Sequence, residues 1–460
     1  MTATHAIRTT DLVADLAEDL QTRWVPDVIA DADLSEAVKT PRLQAQDVHF
    51  IEVPRVGSGY RSAPVLSGSA LAALREAVQP LRQVSESILD PAVCGYRRGA
   101  EGSTTYSDEY RRFRSFADAL SASISFVVIA DVRNFFDSVD TLTLRRSFED
   151  RLGGSWGALH NLLESLRSLG VKGLPAGYGD ARLIANAVLA VVDEAIGVPF
   201  TRWVDDYRLF ASSLSEADAA VDSLRESLSG IGLSLNEAKL VILDASDYRR
   251  QLHGVPLDSV YHPQDEPPDA VRASLRTVFT RAAADMDRRQ LRFVLPRLAE
   301  QDDPIALTYA LHALMKNSIE APRLVHYVSR FLTLDEPATR VEEVARTAST
   351  SDWTLMRLVP LLYRIALSGR TLDVLAERTA QSHSELVRGA LTRVLAIHGR
   401  DEVLRVAIES RSVADARAIM AACWDLNRSV PSWVTEAAPA TTRALESIGR
   451  APLPAVASLL

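Results

Sequence analysis

The sequence predicts a protein of two parts, an α+β part over residues 1–262 and an all-α part over residues 271–460. The first part mixes β-rich runs such as SISFVVIAD with helical stretches and with glycine or proline breaks. Between the two parts, YHPQDEPPDA combines prolines with acidic residues, which is typical of a linker or loop. A chain of 460 residues is also too long for a single compact core.

Composition and charge restrict the class of protein. With 47% hydrophobic and 24% charged residues, the chain is typical of a globular protein, and no apolar stretch is long enough to span a bilayer. The N-terminal MTATHAIRTTDLVADLAEDLQ lacks an apolar signal core, so we expect a cytoplasmic protein without membrane attachment. Cys94 and Cys423 are too few for a zinc cluster. The net charge of −9 counts mildly against nucleic-acid binding.

The predicted elements of the first part run in the order β-α-β-β-α-β, with one extra helix. The strand SISFVVIAD ends at Asp131 and is followed by helices in TLRRSFEDRL to LLESLRSLG and in ARLIANAVLAVVDEAI. FTRWV and YRLFAS read as the two strands of a tight hairpin, with Asp205 and Asp206 at the turn. A capped helix starting at Ser215 and the strand KLVILD complete the pattern, which predicts a ferredoxin-like sheet.

The last third of the chain is a series of amphipathic helical stretches, among them AVRASLRTVFTRAAADM, LRFVLPRLAEQ and SELVRGALTRVLAIHG. Leu, Val and Ala recur in them at helical spacing, and the breaks between them are short. Paired helices of this length indicate an α-solenoid of HEAT-like hairpins. An irregular helical bundle is the alternative, since no sharp repeat signature is visible.

Two adjacent aspartates inside the apolar run TRWVDDYRLF require an explanation. A ferredoxin-like sheet places such a hairpin beside the strand that ends at Asp131, so that Asp205 and Asp206 face Asp131 at about 5 Å, one strand spacing. Three carboxylates at that distance raise one another's pKa, and divalent cations supply the compensating charge. The alternative is that the aspartates only mark a solvated turn.

The order of the surrounding motifs resembles the palm of reverse transcriptases. In this sequence the motifs are DVRNFFDSV, GLPAGYGDARLIANAVL, WVDDYRLF, IGLSLNEAKLVIL and QLHGV. Upstream, IEVPRVGSGYRSAPV and VCGYRRGAEGS resemble the fingers segments of the same family. The resemblance covers residues 45 to 260 and implies reverse-transcriptase fingers and a ferredoxin-like palm, followed by the HEAT-like helical region.

The resemblance implies a metal site for two-metal phosphoryl transfer. Asp131 and Asp205 would be the principal ligands, with Asp206 as a third carboxylate and the backbone of Val132 as a further ligand. The implied cofactor is Mg²⁺, as two ions, with Mn²⁺ as the alternative. Lys239 would assist departure of the pyrophosphate as a charge or proton donor. An exposed lysine at the end of a strand is the alternative for Lys239.

The resemblance also implies the residues that bind the incoming dNTP. Arg55 and Arg61 would face the triphosphate, since guanidinium groups suit phosphate oxygens. Their alternative is a solvated hairpin face. Phe136 would be the gate that clashes with a ribose 2′-hydroxyl, and its alternative is a core aromatic beside Phe135. Ala176 would lie near the templating pair.

The implied nucleic-acid contacts are Tyr96, Arg97, Arg98, Trp203, His253 and Gly254. The first three begin a basic, aromatic segment, residues 96–114, that suits a nucleic acid by charge and stacking. A salt-bridged helix face is the alternative, because Asp108 and Glu109 interrupt the basic residues.

Four positions depart from the usual family pattern. Ala176 stands where many relatives have Gln, and Ala181 stands where a serine is expected. Trp203 replaces the usual Tyr, and Arg55 replaces Lys. The missing glutamine removes a polar contact near the templating pair, which leaves strict dependence on a template open.

Among reverse transcriptases, the long helical tail most resembles the bacterial antiphage enzymes of the abortive-infection and "unknown group" classes. These imply cytoplasmic phage defence and homo-oligomers. Their DNA synthesis is either protein-primed and untemplated or templated by a noncoding RNA, and the implied partners are dNTPs, RNA and a single-stranded DNA product. Candidate priming tyrosines are Tyr248, Tyr261, Tyr309, Tyr327 and Tyr363. The alternatives are a retron-like or mobile-element enzyme copying its own RNA and a non-catalytic nucleic-acid-binding scaffold.

Overall fold

A computed structural model describes residues 43, 45–55, 59–66, 68–99, 102–103, 106–152, 156–253 and 268–400. By contacts between Cα atoms the chain divides into two compact units. The sheet unit spans Ala70–Pro256. The helical unit combines Ala45–Ser69 with Leu257–Leu460. Among the described residues, no helix has both the length and the apolar character needed to cross a membrane.

The described strands form three sheets. Their bounds are β1 Val48–Pro54, β2 Tyr60–Leu66, β3 Val93–Cys94, β4 Arg98–Gly99, β5 Gly102–Ser103, β6 Phe126–Asp131, β7 Phe200–Trp203, β8 Asp206–Ala211 and β9 Val241–Asp244. β1 pairs with β2, β4 pairs with β5, and the other five strands form one sheet in the order β3-β7-β8-β6-β9.

Eight of the described helices precede residue 254. They are α1 Gly68–Ile88, α2 Tyr106–Ser121, α3 Phe135–Ser138, α4 Thr141–Leu152, α5 Gly157–Ser168, α6 Gly179–Asp193, α7 Leu214–Gly230 and α8 Ala245–His253. A short 3-10 helix, Glu237–Lys239, leads into β9. The capped helix begins slightly earlier than the predicted Ser215, because the Ser213 hydroxyl accepts the Glu216 N–H and makes Ser213 the N-cap.

The order β7-β8-β6-β9 is that of a ferredoxin-like sheet, and β3 adds a parallel edge strand beside β7. The strands β6, β7, β8 and β9 are antiparallel to their neighbours. Helix α7 packs on β6 and β8 and contacts α6, while α2 packs on β3, β7 and β8. A core of Ala117, Val127, Phe210, Ala245 and Tyr248 joins the sheet to α2 and α8.

The helices of the helical unit follow in close succession. They are α9 Pro268–Ala284, α10 Arg288–Glu300, α11 Leu307–Met315, α12 Ala321–Ser329, α13 Asp335–Arg346, α14 Asp352–Leu362, α15 Gly369–Gln381 and α16 Glu385–Ile397. Consecutive helices pair as α9 with α10, α11 with α12, α13 with α14 and α15 with α16. The second helices of successive pairs also contact one another, from α10 through α12 and α14 to α16.

Helices α13 and α15 are absent from the amphipathic stretches named from the sequence. Each has a narrow apolar stripe, of which Val341, Val344, Leu372 and Leu375 are buried. Charged residues fill most of the other positions, so the hydrophobic periodicity is weak there.

The β1–β2 hairpin belongs by contacts to the helical unit, and β1 packs on α14. Ile51, Val53, Ala63 and Val65 form its buried face. The sequence predicts one domain over residues 1–262, and this grouping differs from that division. Hairpin residues are close in sequence to the sheet unit, but their apolar side chains are buried within the helical unit.

Candidate active site

Two strand ends bring the predicted carboxylates together. Asp131 is the last residue of β6 and lies opposite Asp206, the first residue of β8, in the antiparallel register. Asp205 occupies the turn between β7 and β8, and its carbonyl accepts the Val132 N–H at 3.3 Å. Because side chains alternate along strands, Asp131, Trp203 and Asp206 share one face of the sheet.

The turn that carries Asp205 has an unusual backbone conformation. Trp203 pairs with Asp206, so only Val204 and Asp205 connect the two strands. Val204 has φ 55°, in the left-handed region that a β-branched residue rarely adopts. Such strain persists only where the surrounding structure holds it, so this turn depends on its neighbours.

Burial and mutual repulsion perturb the two turn carboxylates. Burial raises the pKa of Asp205 to about 7, with further contributions from the negative charges of Asp206 and Asp131. The pKa of Asp206 is also raised, mainly by burial and in addition by Asp131, although Arg208 and Lys239 oppose the shift. Two adjacent carboxylates that resist ionisation in this way lack sufficient positive charge around them.

The carboxylate of Asp131 has two protein partners. Asn236 donates from Nδ2 to Asp131 Oδ2 at 2.8 Å, and Lys239 Nζ lies 3.0 Å from the same oxygen. The hydrogen bond to Asp131 is the main reason why the pKa of Lys239 is raised. Sequence reasoning missed Asn236, and its only sequence signal is its position in SLNEAK, three residues before Lys239.

The donor set fits a hard divalent cation. Asp131, Asp205 and Asp206 offer carboxylate oxygens, which Mg²⁺ and Mn²⁺ prefer. The raised pKa of Asp205 reflects a deficit of positive charge that a bound cation would remove. Within the described part of the chain, no group of three or more His, Cys, Asp or Glu residues already has the geometry of a metal site.

Phe136 lies where the GLPAG segment meets the end of β6. Its carbonyl accepts the Leu174 N–H at 2.7 Å, and Gly173 approaches so closely that an added Cβ would lie 2.0 Å from the same oxygen. The ring of Phe136 is half-buried and meets Phe135 edge-on, with ring centroids 5.6 Å apart, while Phe135 is fully buried. Of this pair, Phe136 is therefore the one that a substrate can reach. Ala176 follows in the same segment and is half-buried.

Trp203 stands in an aromatic cluster beside the turn. Its ring lies 6.4 Å from that of Tyr96 and 5.4 Å from that of Tyr110, and the Arg182 guanidinium lies 4.3 Å from the centre of the Tyr96 ring. A Cβ at Gly95 would lie 3.3 Å from the Trp203 ring, so the glycine permits this packing. Tyr96 and Trp203 remain partly accessible.

Arg97 occupies a different environment from the expected nucleic-acid contact. It is 8% exposed, its guanidinium pairs with Glu86 at 3.0 Å, and it donates to the carbonyls of Asp90 and Val93. These contacts tie the loop after α1 together, so Arg97 supports the fold instead of facing solvent. A basic residue in a basic segment looks exposed in sequence, and only its buried partners reveal the difference.

The other expected nucleic-acid residues are less completely described. Arg98 is the first residue of β4, and His253 is the last residue of α8, but neither side chain is described. Gly254 lies outside the described residues. On α2, Arg111 pairs with Asp108 and Arg112 with Glu109, which is the salt-bridged face weighed as the alternative for this segment.

Arg55 and Arg61 lie near the tip of the β1–β2 hairpin and are exposed. Arg55 directly follows β1 and its N–H donates to the Gly59 carbonyl at 2.9 Å, while Arg61 pairs with Val53 in the ladder. Both guanidinium groups are therefore accessible from solvent.

A ferredoxin-like sheet with Asp131 and the Asp205–Asp206 pair on neighbouring antiparallel strands defines the palm of a nucleic-acid polymerase. Residues 55–257 match the family model described as reverse transcriptase (RNA-dependent DNA polymerase). The chain therefore contains a reverse transcriptase domain, the catalytic domain of an RNA-directed DNA polymerase, whose substrates are dNTPs and a nucleic-acid template. No curated protein matches the chain.

The raised pKa of Asp205 predicts a pH-dependent stability. With a folded pKa of about 7 against an ordinary value near 3.8, the folded protein binds the proton more tightly than the unfolded chain. Stability without metal should therefore fall as the pH rises from about 4 to 7. In a chelator, Asp205→Asn should raise the free energy of unfolding above pH 7 by about 2–4 kcal/mol.

Thermal unfolding of the parent and of Asp205→Asn at several pH values measures this difference. We expect it to shrink toward pH 4, where Asp205 is protonated in both states. Asp218→Asn is the control, since Asp218 is an exposed carboxylate on α7. A gain in stability that is the same at all pH values would contradict the assignment.

Proposed function

We propose that the protein extends DNA by adding dNTPs at Asp131, Asp205 and Asp206 through two-metal phosphoryl transfer. The observation that carries the proposal is the placement of these carboxylates at two facing strand ends, with the pKa of Asp205 raised to about 7. Unpaired carboxylates destabilise a fold through repulsion, and they are retained where chemistry uses them.

The residues that would hold two Mg²⁺ ions are Asp131, Asp205 and Asp206, with the Val132 carbonyl as a further ligand. When bound, the ions would neutralise the carboxylates and the charge of the substrate phosphates. Lys239 keeps its proton beside Asp131, because the pKa of this ammonium is raised. It therefore offers a positive charge, and a proton at Nζ, to a departing pyrophosphate. Asn236 orients the Asp131 carboxylate through its hydrogen bond.

Substrate selection is assigned to residues around the site. The half-buried Phe136 ring excludes a ribose 2′-hydroxyl, and Ala176 borders the templating pair. Arg55 and Arg61 bind the triphosphate through exposed guanidinium groups. Trp203 and Tyr96 stack against a nucleic-acid strand, with Arg98, His253 and Gly254 as further contacts.

The biological role that we propose is antiphage defence of the abortive-infection type in the cytoplasm. The support is the resemblance to bacterial defence reverse transcriptases, together with helices that pack in consecutive pairs as in HEAT-like repeats. On this reading the chain is a homo-oligomer. Its partner is an RNA template, a noncoding RNA or its own single-stranded DNA product.

Protein priming needs an accessible tyrosine. Tyr248 and Tyr327 are buried, so among the described candidates Tyr309 and Tyr363 remain. Tyr261 lies outside the described residues. A retron-like enzyme that copies its own RNA is the second candidate function. It predicts one defined cDNA with a structured RNA as template.

Incorporation of labelled dNTPs by the purified protein with Mg²⁺ and no added nucleic acid tests the proposal. We expect label in the product of the parent and none with the Asp205→Asn, Asp206→Asn variant. Label that leaves the protein only after proteolysis, in a sequence that matches no template, would indicate protein-primed untemplated synthesis. Incorporation only after RNA is added would indicate templated synthesis. Absence of incorporation with RNA, with a DNA primer and with neither would contradict the proposal.

A further inference from the structure

A fully buried arginine lies directly beneath the turn that carries Asp205. Arg202 is 0% exposed and points to the face of the sheet opposite the carboxylates. It donates from Nε to Asp193 Oδ1 at 2.9 Å and from Nη2 to Asp193 Oδ2 at 2.5 Å, which forms a bidentate pair. Its Nη1 donates to the Val204 carbonyl at 2.5 Å and to Asn186 Oδ1 at 3.0 Å.

The partners of Arg202 are themselves held by neighbouring elements. Asp193 accepts the Tyr207 hydroxyl at 2.9 Å, and Tyr207 is also 0% exposed. Asn186 donates from Nδ2 to the Gly95 carbonyl at 2.6 Å, just after β3. The network therefore joins α6, β7, β8 and the residue after β3 around the strained turn.

Stability alone does not account for this network. A buried arginine–aspartate pair loses the hydration of both ions, and an apolar pair of similar volume is often as stable or more stable. A pair of apolar side chains could not donate to the Val204 carbonyl. The distinctive result of the network is a charged, rigid donor aimed at the one residue of the turn with φ 55°.

We propose that Arg202 is a positioning residue for nucleotide addition. Its guanidinium, fixed by Asp193 and Asn186, holds the Val204 carbonyl and so keeps the turn in its left-handed conformation. That conformation places Asp205 and Asp206 beside Asp131, ready to share a divalent cation. The inference rests on the proposed function of these carboxylates, and it assigns Arg202, Asp193, Asn186 and Tyr207 to the support of that site.

The test compares Arg202→Lys with the parent. A lysine keeps the positive charge but offers one point donor in place of a planar fork, so it cannot serve Asp193 and Val204 together. We expect the affinity for Mn²⁺, followed by electron paramagnetic resonance, to fall about 10-fold, as for partners that orient metal ligands. We expect kcat to fall about 10²-fold, with a smaller change in KM for dNTP, because a small misplacement of reacting groups is costly.

Leu224→Ala is the matched control, since it removes a fully buried side chain of α7 that takes no part in the network. It should lower the unfolding temperature without changing Mn²⁺ affinity. Tyr207→Phe is the milder variant. It removes only the hydroxyl that binds Asp193, should fold even if Arg202→Lys does not, and should weaken Mn²⁺ binding in the same direction.

Parent-like Mn²⁺ affinity in whichever of Arg202→Lys and Tyr207→Phe folds would overturn the inference, and so would a loss equalled by Leu224→Ala. Failure of the proposed function looks different. In that case the parent would bind Mn²⁺ through Asp205 and Asp206 yet incorporate no nucleotide, and the effect of Arg202 on Mn²⁺ binding would still be measurable.

Discussion

The variant Asp205→Asn, Asp206→Asn is expected to lose nucleotide incorporation by about 10³-fold or more while keeping its fold. Asparagine preserves the shape of both side chains but removes the charges that would hold a divalent cation. Folding should not suffer, because the pKa values of both carboxyls are raised, which means that the ionised forms are unfavourable in the folded protein. Incorporation of labelled dNTP and thermal unfolding are measured on the same preparation.

Two results would contradict this prediction. Full activity in the double variant would place the active site elsewhere in the chain. An unfolded variant would mean that the carboxylates serve packing. Asp218→Asn, which changes an exposed carboxylate on α7, should retain the activity of the parent and so controls for the loss of negative charge alone.

The variant Phe136→Ala is expected to accept ribonucleotides. The Phe136 ring is only half-buried, so its removal opens space next to the bound sugar without emptying the core. Discrimination between dNTP and rNTP, measured as the ratio of their kcat/KM values, should fall by about 10–200-fold, the range expected for loss of one steric contact. Activity with dNTP should change much less.

Phe135→Leu supplies the matched control, because the two aromatic side chains are adjacent and in edge-on contact. Phe135 is 2% exposed, so its substitution should lower stability and leave sugar discrimination as it was. Unchanged discrimination in Phe136→Ala, or an equal loss in Phe135→Leu, would mean that another residue excludes the 2′-hydroxyl.

Local pattern accounts for the elements of the sheet unit that were predicted well. The apolar run FVVIAD forms β6, and the two runs around Asp205 form a hairpin with a two-residue turn. The helix after the hairpin has its serine cap, although the cap is Ser213 and the predicted start was Ser215. These features depend on residues within one turn or one ladder pair, so sequence spacing contains the necessary information.

The supports of the site could not be read in the same way. Asn236 lies 105 residues from Asp131 in sequence, and Arg202 gains its meaning only through Asp193, Asn186 and the Val204 carbonyl. Arg97 shows the converse, since a basic residue in an apparently exposed segment is buried against backbone carbonyls. Hydrogen bonds between distant residues leave no periodic trace in sequence.

The sequence by itself determined the order of the elements, the reverse transcriptase domain and the three aspartates, because each is encoded by residue type at short spacing. Only the tertiary structure decided which partners surround those aspartates and how burial raises the pKa of Asp205 to about 7. It also placed the β1–β2 hairpin with the helices that follow the sheet unit, through packing of β1 on α14. Burial and charge neutralisation depend on everything that folds around a group, whereas strand and turn formation depend mainly on its neighbours in the chain.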